Sequence, residues 1–238
     1  MTKTLSTISL IILFISTSAR AEIIECHSYN PIPGKGSEMV EFMTEMAQIM
    51  EKTDDVVVNI GVPVAGGQGS QVDYCMRWDD ILAYAKTQDA SDKGIFKKHY
   101  EEFAKKWQGT SLMTKISSIQ AGNEDKSVKA KEFEKYHAYY VNVMKASVGR
   151  QEELNERVKQ YEKFAEKHGN QVELYWAGPG GTGELHVLTT NDSWTSLVES
   201  WIKLGEDKEF AKFRETDDPT LAQVVKNFNG RTIYPAAK

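Results

Sequence analysis

The stretch Glu25-Cys26-His27-Ser28-Tyr29-Asn30 returns in altered form as Lys135-Tyr136-His137-Ala138-Tyr139-Tyr140. The histidines and the first tyrosines of the two stretches align at an offset of 110 residues. After each stretch come a charged amphipathic segment, a short apolar run, a glycine-rich turn, a second run and a segment that contains tryptophan. A long-period repeat of this kind indicates two copies of one structural unit. The sequence therefore predicts a tandem duplication.

The first copy has the pattern of strand, helix, strand, strand, helix and strand. Alternating and β-branched runs predict the strands, and apolar residues at helical spacing predict the helices. Ser37 is expected to cap the first helix. Strands are expected at 23–29, 56–62, 71–78 and 111–120, and helices at 38–52, 79–86 and 96–107.

The second copy follows the same order. Strands are expected at 133–143, 171–176, 184–189 and 231–234, and helices at 150–168, 193–204, 210–215 and 219–227. The glycine-rich segments at 66–69 and 178–183 precede strands, which indicates hairpin turns and not phosphate-binding loops. The charged segment 121–131 lacks apolar periodicity and is interpreted as a linker between a first unit, 22–120, and a second unit, 132–238.

Each unit thus has the βαββαβ, ferredoxin-like arrangement. Its sheet carries helices on one face, and the bare face must be covered, which two fused units achieve by packing sheet on sheet. The predicted fold is α+β, with two tandem ferredoxin-like units that form an intramolecular α+β barrel.

Four stretches strengthen this interpretation: Cys75-Met76-Arg77-Trp78, Phe96-Lys97-Lys98-His99, Trp194–Trp201 and Phe210-Ala211-Lys212-Phe213. Together with the order of elements, they resemble the dimeric α+β barrel superfamily. That superfamily includes antibiotic-biosynthesis-type monooxygenases, haem-degrading monooxygenases and stress-responsive A/B barrel proteins. The resemblance implies a monooxygenase-like fold over essentially the whole chain after its N-terminal segment.

The N-terminal segment has the composition of an export signal. Lys3 precedes the apolar stretch 8–15, and Ala19-Arg20-Ala21 fits the small-x-small rule for cleavage before Glu22. The apolar stretch is too short to span a bilayer, which takes about 20 residues. We expect an exported protein, periplasmic or secreted, with an uncleaved N-terminal anchor as the alternative.

Charge limits the partners of the exported form. Without residues 1–21 the chain carries 27 basic and 34 acidic residues, a formal net charge of −7. This balance argues against nucleic acid and against an anionic membrane surface, both of which attract basic faces. Because fusion already pairs the two units, we expect a monomer (a pseudo-dimer) or a weak homo-oligomer.

The chain has two cysteines, Cys26 and Cys75, in the first and third predicted strands. If these strands are neighbours, a cross-strand disulfide is possible, and an exported protein favours it. Two buried free thiols remain the alternative.

The repeated His-x-Tyr is the first candidate for chemistry. Residues two apart on a strand share a face, so His27 lies beside Tyr29 and His137 beside Tyr139. If that face is the barrel interior, the histidines are candidate acids or bases and the tyrosines orient a substrate. A buried aromatic layer with satisfied histidines is the alternative. Two histidines without a nearby carboxylate or cysteine pattern make a poor metal site, so no metal is expected.

The superfamily resemblance suggests a second set. Its haem-degrading members place Asn on the first strand, Trp on the helix after the third strand and His on the next helix. The matching residues are Asn30, Tyr84 and His99 in the first copy, and Asn142, Trp201 and Arg214 in the second. Neither copy has the full set, so no cofactor is expected. Asn30, Tyr84, His99 and Trp201 remain candidate ligand-binding residues, with Trp201 as a stacking wall.

Four methionines, Met39, Met43, Met46 and Met50, lie on one face of the first predicted helix. Core packing is the favoured interpretation, and Cu(I) binding through the thioethers is the alternative.

The combined pattern predicts a protein that binds a small apolar or aromatic molecule, with cofactor-independent oxygenase- or isomerase-like catalysis as its enzymatic form. A non-catalytic envelope protein with an outer interaction surface is the main alternative, followed by haem or copper handling. A filled barrel favours the interaction role, and an open pocket beside both His-x-Tyr pairs favours ligand chemistry.

Overall fold

A computed structural model of the protein describes residues 22–52, 55–66, 71–123, 129–177 and 183–235. The predicted export signal at 1–21 and most of the two glycine-rich segments lie outside these residues. Within the described ranges, no helix combines the length and the apolar character that crossing a bilayer requires.

The two halves of the chain contain the same elements in the same order. The first half consists of β1 (Ile23–Pro31), α1 (Gly36–Met50), β2 (Val57–Ala65), β3 (Val72–Trp78), α2 (Ile81–Asp92), α3 (Lys97–Trp107) and β4 (Met113–Asn123). A short 3-10 helix, Ala130–Lys135, leads into the second half. The second half consists of β5 (Ala138–Ala146), α4 (Gln151–Lys167), β6 (Gln171–Ala177), β7 (Glu184–Asn191), α5 (Trp194–Glu206), α6 (Lys208–Glu215) and β8 (Ala222–Tyr234).

The eight strands form one closed antiparallel barrel in the order β1-β3-β2-β8-β5-β7-β6-β4. Each half contributes a four-stranded ferredoxin-like sheet, and the halves meet along two seams, β2–β8 and β4–β6. The predicted α+β barrel of two ferredoxin-like units is therefore confirmed. Closure pairs the edge strands of each sheet with those of the other sheet.

Helices cover the outer face of the barrel and bury one apolar layer in each half. In the first half, Met39, Val58 and Trp78 lie in this layer. In the second half, Val158, Leu174 and Leu185 lie at corresponding depth. Because successive side chains of a strand point to opposite faces, the alternate residues of every strand face the barrel interior.

The strand register corrects the alignment of the two halves. Ile23 pairs with Trp78 in the first half, and Ala138 pairs with Asn191 in the second. In both halves a helix cap, Asp80 or Ser193, follows two residues after the paired β3 or β7 residue. Ile23 therefore corresponds to Ala138, an offset of 115, and the offset of 110 that joins the two His-x-Tyr stretches is not the one that the fold uses.

Three local predictions differ from the structure. Ser37 lies inside α1, and Lys35 precedes the helix without a side-chain cap. Residues 219–227 were predicted to be helical, but β8 begins at Ala222 and pairs with the whole of β5, because ladder bonds along that edge outweigh a short helical pattern. Strand β4 continues to Asn123, into the segment predicted as a linker.

A buried ion pair stands beside the β4–β6 seam. Arg77 Nη1 donates to Glu22 Oε1 at 3.0 Å and to the Tyr175 hydroxyl oxygen at 2.7 Å. The Tyr175 hydroxyl donates to Glu22 Oε2 at 2.7 Å. The Arg77 guanidinium also lies 3.7 Å from the centre of the Phe133 ring. The group joins the first half of the chain to Tyr175 of the second half. It lies at the β4–β6 seam, where the described backbone pairing covers Ala121–Asn123.

Replacing Arg77 with methionine should lower the free energy of unfolding by about 3–5 kcal/mol, because the Glu22 carboxylate is left buried without its counter-ion. Urea unfolding followed by tryptophan fluorescence measures this loss. The double variant Arg77→Met, Glu22→Gln should recover part of it.

Arg150→Met is the matched control for this prediction. Arg150 pairs with Glu153 and Asp218 at the exposed surface, where water screens the charges. Its replacement should cost much less. Equal losses in the Arg77 and Arg150 variants would contradict the role given to the buried group.

Candidate functional site

The barrel interior encloses a cavity of about 550 Å³. Side chains from all eight strands line it, together with Phe133 of the 3-10 helix and Tyr136, which follows that helix. Its apolar wall consists of Ile24, Val141, Val143, Leu188, Phe228 and the Cys26–Cys75 disulfide. A cavity of this size and character suits a small, mainly apolar molecule.

The disulfide is part of the cavity wall. Cys26 and Cys75 lie directly opposite each other on β1 and β3, with their Cα atoms 4.1 Å apart. In the register, Ile23 corresponds to Ala138 and Trp78 to Asn191, so the same two places in the second half hold Val141 and Leu188, which also oppose each other. The first half thus uses a covalent pair where the second uses two apolar side chains.

Three buried polar atoms on the cavity-lining residues of the second half lack a hydrogen-bond partner within the described chain: Tyr139 Oη, His186 Nε2 and Thr190 Oγ1. Tyr139 and Thr190 are direct neighbours across β5 and β7, and His186 lies on the same face of β7. Leaving a buried polar group unpaired costs about 1–3 kcal/mol. Three residues that line one cavity thus carry polar atoms whose hydrogen bonds the described chain does not complete.

Tyr139 lies against two glycines of the neighbouring strands. A Cβ atom placed on Gly230 would lie 2.2 Å from Tyr139 Oη, and one placed on Gly61 would lie 2.8 Å from it. Glycine at both positions therefore makes room for the phenol ring inside the barrel. Burial raises the pKa of Tyr139 well above its ordinary value, and the nearby Asp73 carboxylate adds to the effect. The phenol therefore stays protonated and remains a hydrogen-bond donor.

His186 is held in its neutral form near pH 7. Burial lowers the pKa of the imidazole below its ordinary 6.5 and outweighs Glu184, which acts in the opposite direction. The Lys226 ammonium also lowers it. A neutral imidazole can accept a proton or a hydrogen bond from a bound molecule.

The first half contributes a polar group centred on Asp73. The Ser28 hydroxyl and the Gln71 amide both donate to Asp73 Oδ1 at 2.6 Å. Burial raises the pKa of Asp73, while these hydrogen bonds and Lys226 act to lower it. Lys226 influences both Asp73 and His186, so the three charged or titratable groups form one electrostatic unit on the cavity wall.

The structure divides the four predicted catalytic residues among different surroundings. Of these, Tyr139 lines the barrel cavity. His27 and Tyr29 lie on the opposite face of β1 and line a second cavity of about 290 Å³ under the helices of the first half. His137 precedes β5 and exchanges backbone hydrogen bonds with Asn191 and Thr232. The two His-x-Tyr stretches therefore do not meet in one cavity.

The predicted ligand-binding residues are also dispersed. Tyr84 packs edge-on against Trp78, with ring centres 4.9 Å apart, and His99 lies half-buried on α3. Asn30 is at the end of β1 with a buried, unpartnered Oδ1. Trp201 packs edge-on against Tyr140 at 5.4 Å, in the helix layer and not on the barrel cavity.

The two Asn, aromatic and His or Arg sets suggested by the superfamily resemblance do not line the two cavities described above. Asn30, Tyr84 and His99 line neither of them. In the second half, the Asn142 amide oxygen accepts a hydrogen bond from the Tyr140 hydroxyl, and the Arg214 side chain is 68% exposed.

The sequence interpretation missed His186, Thr190 and Asp73. Their signal is alternation: on one face of each strand, three of four places are polar, with Cys75 as the exception in Gln71–Arg77 and Leu188 as the exception in Glu184–Thr190. A strand with both faces covered normally lacks such polar positions. Polar residues at this period on two strands would have indicated a hydrophilic patch inside the barrel.

No protein-family model matches the sequence, and no curated protein matches it. Solved structures do share its fold. A protein from Lactobacillus acidophilus NCFM assigned as a monooxygenase matches with a TM-score of 0.57 and 10% identity, over 90% of this chain and 93% of its own. The protein TA0507, assigned as a chlorite dismutase, matches with a TM-score of 0.55 and 12% identity, over 90% of this chain and 95% of its own.

A third structure, the protein FN1347 from Fusobacterium nucleatum, is likewise assigned as a monooxygenase. It matches with a TM-score of 0.54 and 11% identity, over 89% of this chain and 91% of its own. The chain thus shares the ferredoxin-like α+β fold of these structures. At these identities the comparison establishes the fold, and function must come from the site.

The lowered pKa of His186 predicts a pH dependence of stability. As pH falls below 6.5 towards the folded-state pKa, the unfolded chain takes up a proton that the folded protein does not. The free energy of unfolding should therefore decrease as the pH is lowered through this window, and His186 should contribute at most about 1.4 kcal/mol per pH unit. Urea unfolding between about pH 7.5 and about pH 5 measures the dependence.

The variant His186→Gln should lack this contribution, so its stability difference from the wild type should change across the window. Thr190→Val removes another unpaired cavity atom without a titrating group, and its difference from the wild type should be independent of pH. A constant difference for His186→Gln as well would show that the imidazole does not titrate as described.

Proposed function

We propose that this protein binds a small, mainly apolar or aromatic molecule that carries a hydrogen-bonding group, and that it holds the molecule inside the barrel. The single observation that carries the proposal is the set of three unpaired polar atoms, on Tyr139, His186 and Thr190, in a largely apolar cavity of about 550 Å³. An apolar body would contact Val141, Leu188 and the disulfide. Its polar group would complete the hydrogen bonds of Tyr139, His186 and Thr190.

The chemistry of the three groups limits the ligand. The protonated Tyr139 phenol donates, the neutral His186 imidazole offers one nitrogen, and the Thr190 hydroxyl can donate or accept. A phenol, an alcohol or a ketone matches this set. The open interior supports ligand binding over the alternative in which a filled barrel only presents an outer interaction surface. Export to the periplasm or the exterior remains part of the proposal, based on residues 1–21.

A pair of probes tests the polar recognition: 1-naphthol and naphthalene, which share a carbon skeleton and differ by one hydroxyl. The wild type should bind 1-naphthol about 2–10-fold more tightly than naphthalene, which corresponds to one or two hydrogen bonds in a buried site. Calorimetric titration or naphthol fluorescence measures both affinities. Tyr139→Phe and His186→Leu should reduce the preference, and the double variant should abolish it.

Tyr84→Phe is the matched control, because it removes a hydroxyl from a residue that does not line the barrel cavity. It should preserve the preference for 1-naphthol. The proposal fails if neither probe binds, or if a His27→Gln, His137→Gln double variant loses binding while Tyr139→Phe retains it.

One observation favours a second candidate function, cofactor-independent catalysis of the isomerase or oxygenase type that begins with removal of a proton from carbon. His186 combines a neutral imidazole with a nitrogen that has no partner in the described chain. An imidazole of this kind can act as a general base, and the Lys226 ammonium can stabilise the anion that forms. The fold comparison with proteins assigned as monooxygenases is consistent with this form of the function.

Hydrogen exchange of 2-tetralone in D₂O tests the base. This ketone carries acidic protons beside its carbonyl group on a skeleton close to that of naphthol. The wild-type protein should accelerate their replacement by deuterium, followed by proton NMR, and His186→Leu should lose at least about 100-fold of that acceleration, the usual contribution of a general base. Tyr84→Phe should retain it. Binding of 2-tetralone without faster exchange would restrict the function to binding.

A further inference from the structure

The second cavity has a lining of unusual chemistry. It lies between the outer face of β1, β3 and β4 and the helices α1 and α3, and has a volume of about 290 Å³. Five of the chain's eight methionines line it: Met43, Met46, Met50, Met76 and Met113. The remaining lining residues are His27, Phe42 and the tyrosines at 29, 74 and 100. Thioethers from one helix and two strands thus line the same cavity as one imidazole.

His27 is oriented by a carboxylate. Its Nε2 atom lies 3.1 Å from Glu25 Oε1, and its Nδ1 atom is buried without a partner in the described chain. A carboxylate on one ring nitrogen with the other nitrogen free is the arrangement of a metal-binding histidine, in which the carboxylate sets the tautomer and the ring orientation.

We propose that this helix-side cavity is a binding site for Cu(I), a soft monovalent ion, with His27 Nδ1 and the thioethers of Met43, Met46 and Met76 as its ligands. Soft sulfur ligands select Cu(I), and an imidazole completes such a site. Among the described residues, no group of three or more His, Cys, Asp or Glu side chains is arranged to hold a metal ion. The cavity therefore offers a soft ion a donor set that Mg²⁺, Ca²⁺ or Zn²⁺ would not favour.

The strand register supports the placement of the ligands. Met76 lies directly opposite Glu25 on the neighbouring strand, one diagonal step from His27 on the same face. Met43 and Met46 lie one helical turn apart on α1, which covers that face. The His27 side chain is 16% exposed and the Glu25 side chain is 25% exposed, so this end of the cavity lies close to the protein surface. The site is separate from the barrel cavity and does not depend on the function proposed there.

Titration of the full chain with Cu(I), in competition with bicinchoninate, tests the proposal. The wild type should bind one ion per chain. The double variant Met43→Leu, Met46→Leu keeps the side-chain volume and removes two thioethers, so it should weaken binding by more than about 100-fold, as should His27→Gln. Glu25→Gln, which removes only the orienting carboxylate, should weaken it by about 10–100-fold.

Met39→Leu is the matched control. Met39 lies on the same helix, fully buried, and does not line the cavity. Its variant should bind Cu(I) with unchanged affinity. Thermal unfolding of each apo-variant checks that the fold is kept. The proposal is overturned if the wild type binds no Cu(I) at stoichiometric concentration, or if the Met43, Met46 double variant binds as tightly as the wild type.

A second measurement uses the wild type and so does not depend on the folding of any variant. With ¹³C-labelled methionine methyl groups and Ag(I) as a redox-inert probe, the signals of Met43, Met46 and Met76 should shift in parallel at one equivalent. Met39 and Met144, which lie in the two helix-side cores, should not shift. Shifts spread over all methionines, or confined to the two core residues, would reject the site.

Discussion

The closed barrel depends on the contact of Arg77 with Glu22 and Tyr175. The β4–β6 seam joins the two halves over Ala121–Asn123, whereas the β2–β8 seam is longer and extends over Ile60–Ala65. Arg77 and Glu22 are both buried in the first half, and both bond to the buried Tyr175 hydroxyl of the second half. These bonds hold the shorter seam in place. Buried ion pairs stabilise little compared with apolar packing, but each partner is costly to leave alone. The group therefore acts against any arrangement in which the halves separate.

Closure determines what the interior can contain. Side chains that point inward from eight strands can fill a barrel of this size or leave room for one ligand. Here the glycines at 61 and 230 give space to the Tyr139 ring, and smaller side chains at Ser28 and Thr190 leave the space beyond it open. The result is an apolar chamber with a polar wall whose hydrogen bonds the described chain does not complete. This incompleteness, more than the resemblance to other barrels, is what argues for a ligand.

Most of the architecture could be predicted from the sequence, because hydrophobic period and turn residues act locally. The four strands and the first helix of the first half all lie within a few residues of their predicted places. The candidate site could not be predicted as well. The spacing of His27 and Tyr29 shows that they share a face, but which face is inside depends on strand pairing over long distances. The same limit explains why the two copies of the repeat are misaligned by sequence alone. His27 and His137 look equivalent in the sequence, yet the strand register places Asn142 at the position of His27.

The β1–β3 pair separates the barrel cavity from the helix-side cavity, and the two cavities have different linings. Ser28, Asp73 and the disulfide face the barrel interior, while His27, Tyr74 and Met76 face the helices. Because side chains alternate with a period of two, a slip of one residue between these strands would exchange the two linings completely. The Cys26–Cys75 bond joins directly opposed residues and so prevents that slip in the folded state. The disulfide therefore keeps the lining of the barrel cavity, with its polar groups, separate from the thioether lining of the helix-side cavity.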